Sequence, residues 1–281
     1  MKLLAVVSTY FPNLEELERN IKSYLPWVDH LIIWENTPEE KSEIKLLVEK
    51  LHDTKVEVRT TGKNEFLAYP FNICIKWAQE NNFTHILTMD QDSCFKENQF
   101  ENFMSLVAKH SDESTVAFTT NKDESVNNES ADEIEVENTI TSGAIYKLEV
   151  FEKIGYFRED FLIYMIDIEF GMRIKLHNYR IICFPKVVLQ HSGGYAQVNK
   201  FGLRIDHYSA QSSYYIIRNV MLNWRLYADQ FSLKDKLIFL KYKIGYRTAK
   251  LPFEKKPLLK LKAIYIAFFH GLIGKSGRYD I

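Results

Sequence analysis

Apolar residues in the first third of the chain come in short, dense runs, and most of these runs end in polar residues. Leu3-Leu4-Ala5-Val6-Val7 runs into Ser8-Thr9, Leu31-Ile32-Ile33-Trp34 into Glu35-Asn36, and Ile86-Leu87-Thr88-Met89 into Asp90-Gln91-Asp92. Short runs that are apolar at consecutive positions predict strands buried on both faces, here over 3–10, 30–37 and 84–89, and 56–61 reads as a further strand between them. Between them apolar residues recur at helical spacing, as at Leu14, Leu17, Ile21 and Leu25, which predicts helices over 13–25, 41–52 and 67–81. Pro70 falls in the first turn of the last of these, where proline is tolerated. The alternation of strand and helix predicts a parallel sheet with helices on both faces. Ligands of such sheets sit at the carboxyl ends of the strands, where Thr9, Glu35-Asn36 and Asp90-Gln91-Asp92 fall.

Further along, a helix is predicted over 99–110 and a strand over 115–120. An acidic, Asn/Ser-rich stretch within 111–138 reads as a solvated loop. Residues 139–157 read as a strand, a Ser142-Gly143 turn and a helix. Residues 161–179 start extended and become helical near Asp167. Residues 180–193 are extended and end at His191, and from Ser209 the chain reads as helical, broken at Pro252 and Pro257. No internal repeat is apparent. The division predicted is a catalytic α/β domain over 1–208 and a C-terminal helical region over 209–281.

Composition adds two points. A chain of 281 residues that is 46% hydrophobic and 26% charged has the make-up of a soluble globular protein with a sizeable core. The net charge of -1 conceals an asymmetry: residues 232–281 carry 12 Lys/Arg against 3 Asp/Glu, and the remainder 24 against 34. A basic tail on an acidic body points to a surface that meets anions. Its mixture of Lys/Arg with Leu, Ile, Phe and Tyr is that of a helix lying in an anionic bilayer surface, and equally of amphipathic helices packed on the body or on a second subunit. The three cysteines have no paired spacing and read as reduced thiols. The N-terminal run breaks at Pro12 without a small-residue cleavage site and reads as a first strand, not a signal peptide. No apolar run reaches bilayer-spanning length.

The chemistry centres on Asp90 and Asp92. Two carboxylates one residue apart at a strand end repel each other unless solvated or bridged by a cation, and oxygen ligands suit Mg2+ or Mn2+. A phosphohydrolase of the haloacid dehalogenase type also places Asp-x-Asp after an apolar strand. There, however, the pair stands on the first strand, and here it stands on the fourth.

The ordered set "VVSTYFPN", "IIWENTP", "AYPFNICIKWA", "ILTMDQDS", "TSGAIYKLEVFEKIGYF", "YMIDIEFGMRIKLHNYRI" and "VVLQHSGG" resembles family 2 glycosyltransferases with the GT-A fold. The later "YYIIRNVMLNWR" and "FFHGLIGKSGR" resemble the bacterial rhamnosyltransferase-like branch. The resemblance implies a Rossmann-like, mainly parallel sheet flanked by helices, with a C-terminal helical extension. It implies Asp90 and Asp92 as the Asp-x-Asp motif, with His191 as a further metal ligand for Mn2+ or Mg2+. Asp90 would also touch the donor. Thr9 and Glu35 would contact the donor nucleoside, and many relatives carry Asp in place of Glu35. Asn64 and Asn72 would approach base and sugar, although the Asn-x-Gly often found near Asn64 is absent. Thr141, Ser142 and Gly143 would form a turn beside donor sugar and acceptor, Glu169 would support acceptor binding, and Arg218 would lie near the diphosphate or acceptor.

Asp167 is the expected general base, a carboxylate among apolar residues whose pKa burial would raise; an N-capping aspartate fits the same position. The function expected is inverting transfer of a sugar, rhamnose first, from a nucleotide-diphosphate donor to a glycan or polyprenyl-diphosphate-linked acceptor in cell-surface polysaccharide synthesis. The enzyme would be cytoplasmic, peripheral at the inner face of the plasma membrane, without nucleic acid, and a homodimer is compatible. The alternatives are a metal-dependent phosphohydrolase and a non-catalytic nucleotide-sugar-binding protein.

Overall fold

The structure is a computed structural model, and it describes residues 1–122, 131–191, 196–198, 204–206 and 208–281. The chain forms two compact units, Met1–Arg158 with Ile166–Gly193, and Glu159–Met165 with Gly194–Ile281.

In the first unit β1 (Leu3–Thr9), α1 (Leu14–Lys22), β2 (His30–Glu35), α2 (Ile44–Leu51), β3 (Val56–Thr60), α3 (Ala68–Glu80) and β4 (His85–Asp90) alternate as the apolar runs predict. Every residue of β1 is buried, because the strand lies between β2 and β4 and is covered on both faces. Asn13 starts α1 by accepting the Glu16 amide at 3.0 Å, and Leu17 and Ile21 turn inward to the sheet. The pairs β1–β2, β2–β3 and β1–β4 are parallel, with Thr9 opposite Glu35 and Ser8 opposite Asp90. That register draws the three polar strand ends to one edge.

Beyond β4 the sheet becomes mixed. The remaining elements of this unit are β5 (Ser93–Phe95), α4 (Gln99–Ala108), β6 (Thr115–Lys122), β7 (Ile134–Val136), β8 (Ala144–Lys147), α5 (Glu149–Ile154), α6 (Ile166–Leu176) and β9 (Arg180–His191). Among the described residues the sheet runs β3-β2-β1-β4-β8-β6-β9-β5, with β7 also on β9. The β4–β8, β6–β8, β5–β9 and β7–β9 pairs are antiparallel, and β6–β9 is parallel. The mainly parallel sheet expected from the alternation therefore holds for the first four strands. Beyond them β8 enters between β4 and β6 and runs antiparallel to both, which ends the parallel half of the sheet.

Three local expectations change. The strand expected before the Ser142-Gly143 turn follows it, as β8. The acidic stretch contains β7, too short to register in an apolar pattern. Residues 159–165 are a turn and not an extended segment, with Leu162, Tyr164 and Met165 at φ between 58° and 68°.

The second unit holds β10 (Ala196–Val198) paired with β11 (Arg204–Asp206), then α7 (Ala210–Leu226), α8 (Leu233–Phe239), a π-helical stretch over Leu240–Tyr246, α9 (Arg247–Lys250) and α10 (Pro257–Ile273). Pro252 lies in a short 3-10 turn and Pro257 opens α10, so both proline breaks fall between helices as expected. The α7 and α10 backbones approach closely, since a Cβ on Gly271 would meet the Met221 Cβ at 2.6 Å. Glu254 and Lys260 form a buried ion pair at 2.5 Å in the same unit.

Arg218 on α7 is buried, its guanidinium directed at the carbonyls of Asp160, Phe161 and Gly277. Asn219 beside it donates to the carbonyls of Phe161, Ile163 and Tyr164 at 2.7–3.0 Å. The two side chains thus hold the left-handed turn of 159–165, whose backbone could not otherwise be satisfied indoors. Replacing Arg218 with Met strips donors from several buried carbonyls. It should lower stability by roughly 2–4 kcal/mol, measured by urea unfolding; a variant as stable as the parent would show that water replaces the guanidinium.

Candidate active site

The carboxyl edge of β1, β2 and β4 is built as a hydrogen-bonded shelf. Thr9 is buried, and its hydroxyl donates to the Trp34 carbonyl at 3.2 Å. Asn36 donates to the Ser8 hydroxyl at 2.9 Å and the Phe66 carbonyl at 3.0 Å, and accepts from the Glu65 amide at 2.9 Å. It ties the two strand ends to the loop before α3, which makes it the organising residue of that corner. Glu35 is buried, one carboxylate oxygen accepting the Thr37 amide at 2.7 Å and the other the Ser42 hydroxyl at 2.9 Å. Asn64 accepts the Phe66 amide at 2.8 Å, closing a short turn in which Phe66 takes φ 62°. Asn72 both donates to and accepts from the Phe157 backbone, at 2.8 and 3.0 Å.

Asp90 ends β4, and only two residues separate it from β5. That short strand pairs with β9 so that Ser93 lies opposite His191. The pairing brings His191 Nδ1 to 3.2 Å from the Asp92 carboxylate and 2.9 Å from the Ser93 hydroxyl. One ligand atom each from Asp90, Asp92 and His191 all lie within 4.8 Å of one another. Two carboxylates and an imidazole on a half-buried surface are a fitting donor set for a divalent cation. The single nitrogen suits Mn2+ better than Mg2+, which favours all-oxygen shells.

The electrostatics agree with that fit. Burial first, then the neighbouring Asp92, pushes the Asp90 carboxyl up to about 7, with Asp167 adding a little and Lys122 opposing. Asp90 is thus a carboxylate lacking the positive charge that would keep it ionised. Because its folded pKa lies above the unfolded value of 3.8, its contribution to stability is whole below that value and is lost as the pH rises through about 7. A bound cation reverses the loss. Mn2+ should therefore raise the melting temperature distinctly more at about pH 8 than at about pH 5; equal shifts in a thermal melt at the two pH values would remove Asp90 from the cation site.

The turn at 141–143 is stitched to β4. The Thr88 hydroxyl donates to the Thr141 carbonyl, the Ser142 hydroxyl accepts the Asp90 amide at 3.0 Å, and the Gly143 amide donates to the Thr88 carbonyl at 2.9 Å. Gly143 has φ +76°, where a side chain is strained, and a Cβ there would stand 2.8 Å from Leu189 Cδ2, which would have to shift. Thr141 also hydrogen-bonds the Asp167 carboxylate, in the first turn of α6. Burial raises the Asp167 pKa, and the hydrogen bonds from Thr141 and the Ile168 amide only partly offset it. Thr141 and Ser142 therefore link the Asp-x-Asp strand to Asp167.

Of the other expected residues, Glu169 is buried in a two-pronged pair with Arg173 at 2.7 and 2.9 Å, and Arg173 also donates to the carbonyls of Ile154 and Tyr156. Arg218 belongs to the second unit and has the internal partners described with it. Four further residues contribute: Asn36 and Gln91, which the sequence placed at the strand ends without a role, and Ser93 and Lys122, which it did not single out. Gln91 accepts the Tyr10 amide at 2.7 Å and fixes the β1 exit against the acid pair. A polar residue at the end of each strand was the available signal for Asn36 and Lys122; nothing in the sequence marks Ser93 as the partner of His191.

Residues 5–172 match the family model described as glycosyl transferase family 2. Over 298 residues the chain is 24% identical to the curated dTDP-rhamnosyl transferase RfbF of Shigella flexneri, a match covering 99% of this chain and 98% of that protein. Among solved structures it is similar to GalNAc-T7 with UDP, GalNAc and Mn2+, with a TM-score of 0.61, 11% identity and coverage of 82% of this chain and 49% of that one. A structure of S. aureus TarS 1-349 is similar at a TM-score of 0.51 and 13% identity, covering 100% of this chain and 94% of the other. The chain thus spans about half the length of the GalNAc-T7 chain, and at these identities the structures speak for the fold alone.

Proposed function

The chain belongs to glycosyl transferase family 2, and from that premise we propose that it transfers rhamnose, with inversion, from a dTDP-sugar to a glycan or polyprenyl-diphosphate-linked acceptor. The product would serve cell-surface polysaccharide, made at the cytoplasmic face of the plasma membrane. The observation that carries the reading is the clustering of Asp90, Asp92 and His191 at the same sheet edge as Asp167. The rhamnose assignment is supported by the full-length likeness to a dTDP-rhamnosyl transferase.

In this mechanism Asp90, Asp92 and His191 would hold a divalent cation, which when bound would supply positive charge for the departing diphosphate. Thr9 and Asn36 shape the shelf under the nucleoside, with Glu35, Asn64 and Asn72 bracing its walls. Lys122, close enough to act on Asp90, adds positive charge beside the diphosphate. Asp167 accepts the proton of the acceptor hydroxyl as that oxygen attacks the anomeric carbon from the face opposite the diphosphate. Its burial keeps it basic enough for that task, and Thr141 holds it in place. Ser142 and Gly143 border the sugar, and Glu169 fixes the helix that carries the base through Arg173.

The experiment is a donor-hydrolysis and transfer assay with Mn2+ across dTDP-, UDP- and GDP-sugars. Turnover of dTDP-rhamnose above the others is expected. Turnover of UDP-hexoses alone would overturn the sugar while keeping the class, and release of phosphate from aryl phosphates alone would favour the phosphohydrolase alternative. Nucleotide binding without turnover would favour a binding protein.

A further inference from the structure

Of 18 large apolar side chains exposed among the described residues, 12 lie between Leu233 and Ile273. They are not scattered. On α10 one face is buried through Ala263, Ile264, Ala267 and Gly271, and the opposite face carries Leu258, Tyr265, Phe269 and Ile273, between 55% and 80% exposed. A surface helix ordinarily turns polar residues outward, and this one is apolar on both sides. The continuous helical stretch Leu233–Lys250 goes further. None of its residues is buried, although it includes Leu237, Ile238, Tyr242 and Tyr246.

Lysines run through both segments. Lys241 and Lys250 lie over the rings of Tyr242 and Tyr246, at 5.2 and 4.2 Å. Lys234, Lys243, Lys255 and Lys262 form no ion pair among the described residues. We propose that the exposed faces of Leu233–Lys250 and α10 are a docking surface for an anionic lipid bilayer. The apolar and aromatic side chains enter the headgroup layer, and the lysines meet lipid phosphates. Charge selects this occupant. Residues 232–281 hold 12 basic against 3 acidic residues, so pairing of this face with the same face of a second copy would set like charge against like, whereas an anionic surface complements it. No helix among the described residues is long and apolar enough to cross a membrane, so the contact is one of helices lying in the headgroup layer.

The inference deepens the membrane-side location proposed above. Its test needs no substrate, so its failure and that of the sugar-transfer reading are told apart. The full-length protein is floated with vesicles of phosphatidylcholine alone or mixed with phosphatidylglycerol. Flotation with the anionic vesicles, weakened by added salt, is expected. The K241E/K243E variant should bind them about tenfold more weakly or worse, and F269S/I273S should lose a comparable factor; donor hydrolysis should be unchanged in both. Lysines 241 and 243 are exposed, so that variant decides the matter even where the apolar one fails to fold. Absence of flotation, or equal binding to phosphatidylcholine that K241E/K243E leaves intact, overturns the proposal. A dimer seen by light scattering without lipid, and broken by F269S/I273S, would assign the face to a second copy instead.

Discussion

Asp167→Asn should reduce sugar transfer by roughly 10²–10⁴-fold, the usual contribution of a positioned general base. The substitution keeps an oxygen able to accept the hydrogen bonds from Thr141 and the Ile168 amide, so the turn and α6 should stay in place. Mn2+ binding, read by a thermal melt, should be unaltered. The pH profile supplies a second readout. Burial raises the Asp167 pKa, and the base acts only when ionised, so transfer should fall as the pH drops through a value above the ordinary carboxylate range. With Mn2+ held saturating across the pH range, so that titration of Asp90 at the cation site does not contribute, the residual activity of Asp167→Asn should lack that acid limb. A variant with full activity, or one whose acid limb is unchanged, would move the base elsewhere.

Asp92→Ala is the second large effect. Loss of groups that merely orient a metal ligand already costs about 10–100-fold in affinity, so loss of a ligand itself should weaken Mn2+ by at least about 100-fold. Asp92 also stands 3.2 Å from His191 Nδ1, so its removal takes away a neighbour of the imidazole as well as a ligand. Transfer should collapse at ordinary Mn2+ and recover in part at high concentration. Calorimetric titration of Mn2+ checks the binding directly. Unchanged affinity would mean that Asp90 and His191 hold the ion without it, or that the ion sits elsewhere.

Three of the first four strands were legible because a strand covered on both faces has to be apolar at consecutive positions, and β1, β2 and β4 are; β3, at the sheet edge, is not. The polar residues that close them stand out for the same reason, which is why Thr9, Glu35 and Asp90 could be named. The second half of the sheet was harder. Strands of three or four residues, such as β5, β7 and β8, are shorter than any apolar periodicity, and their pairing partners lie far along the chain. The turn at 159–165 read as extended because left-handed non-glycine residues leave no compositional mark; Arg218 and Asn219, more than fifty positions away, hold it. Arg218 itself shows the limit of residue type as a signal. A guanidinium fits a diphosphate and a set of carbonyls equally well, and in the structure its partners are carbonyls.

By itself the sequence determined the alternating apolar runs, the acid pair at a strand end, the basic and apolar C-terminal segment, and an ordered set of motifs sufficient to place the family. These are local quantities: runs, spacings and charges that a few neighbouring residues carry. Only the tertiary structure decided that β5 pairs with β9, and with it that His191 meets Asp92. The fold likewise decided that Thr141 joins the Asp90 strand to Asp167, and that the face carrying Phe269 is left uncovered by the chain's own core. Each of these depends on which distant segments come into register, and hydrogen-bond pairing across a sheet is settled by the global packing and not by the identity of the residues that meet.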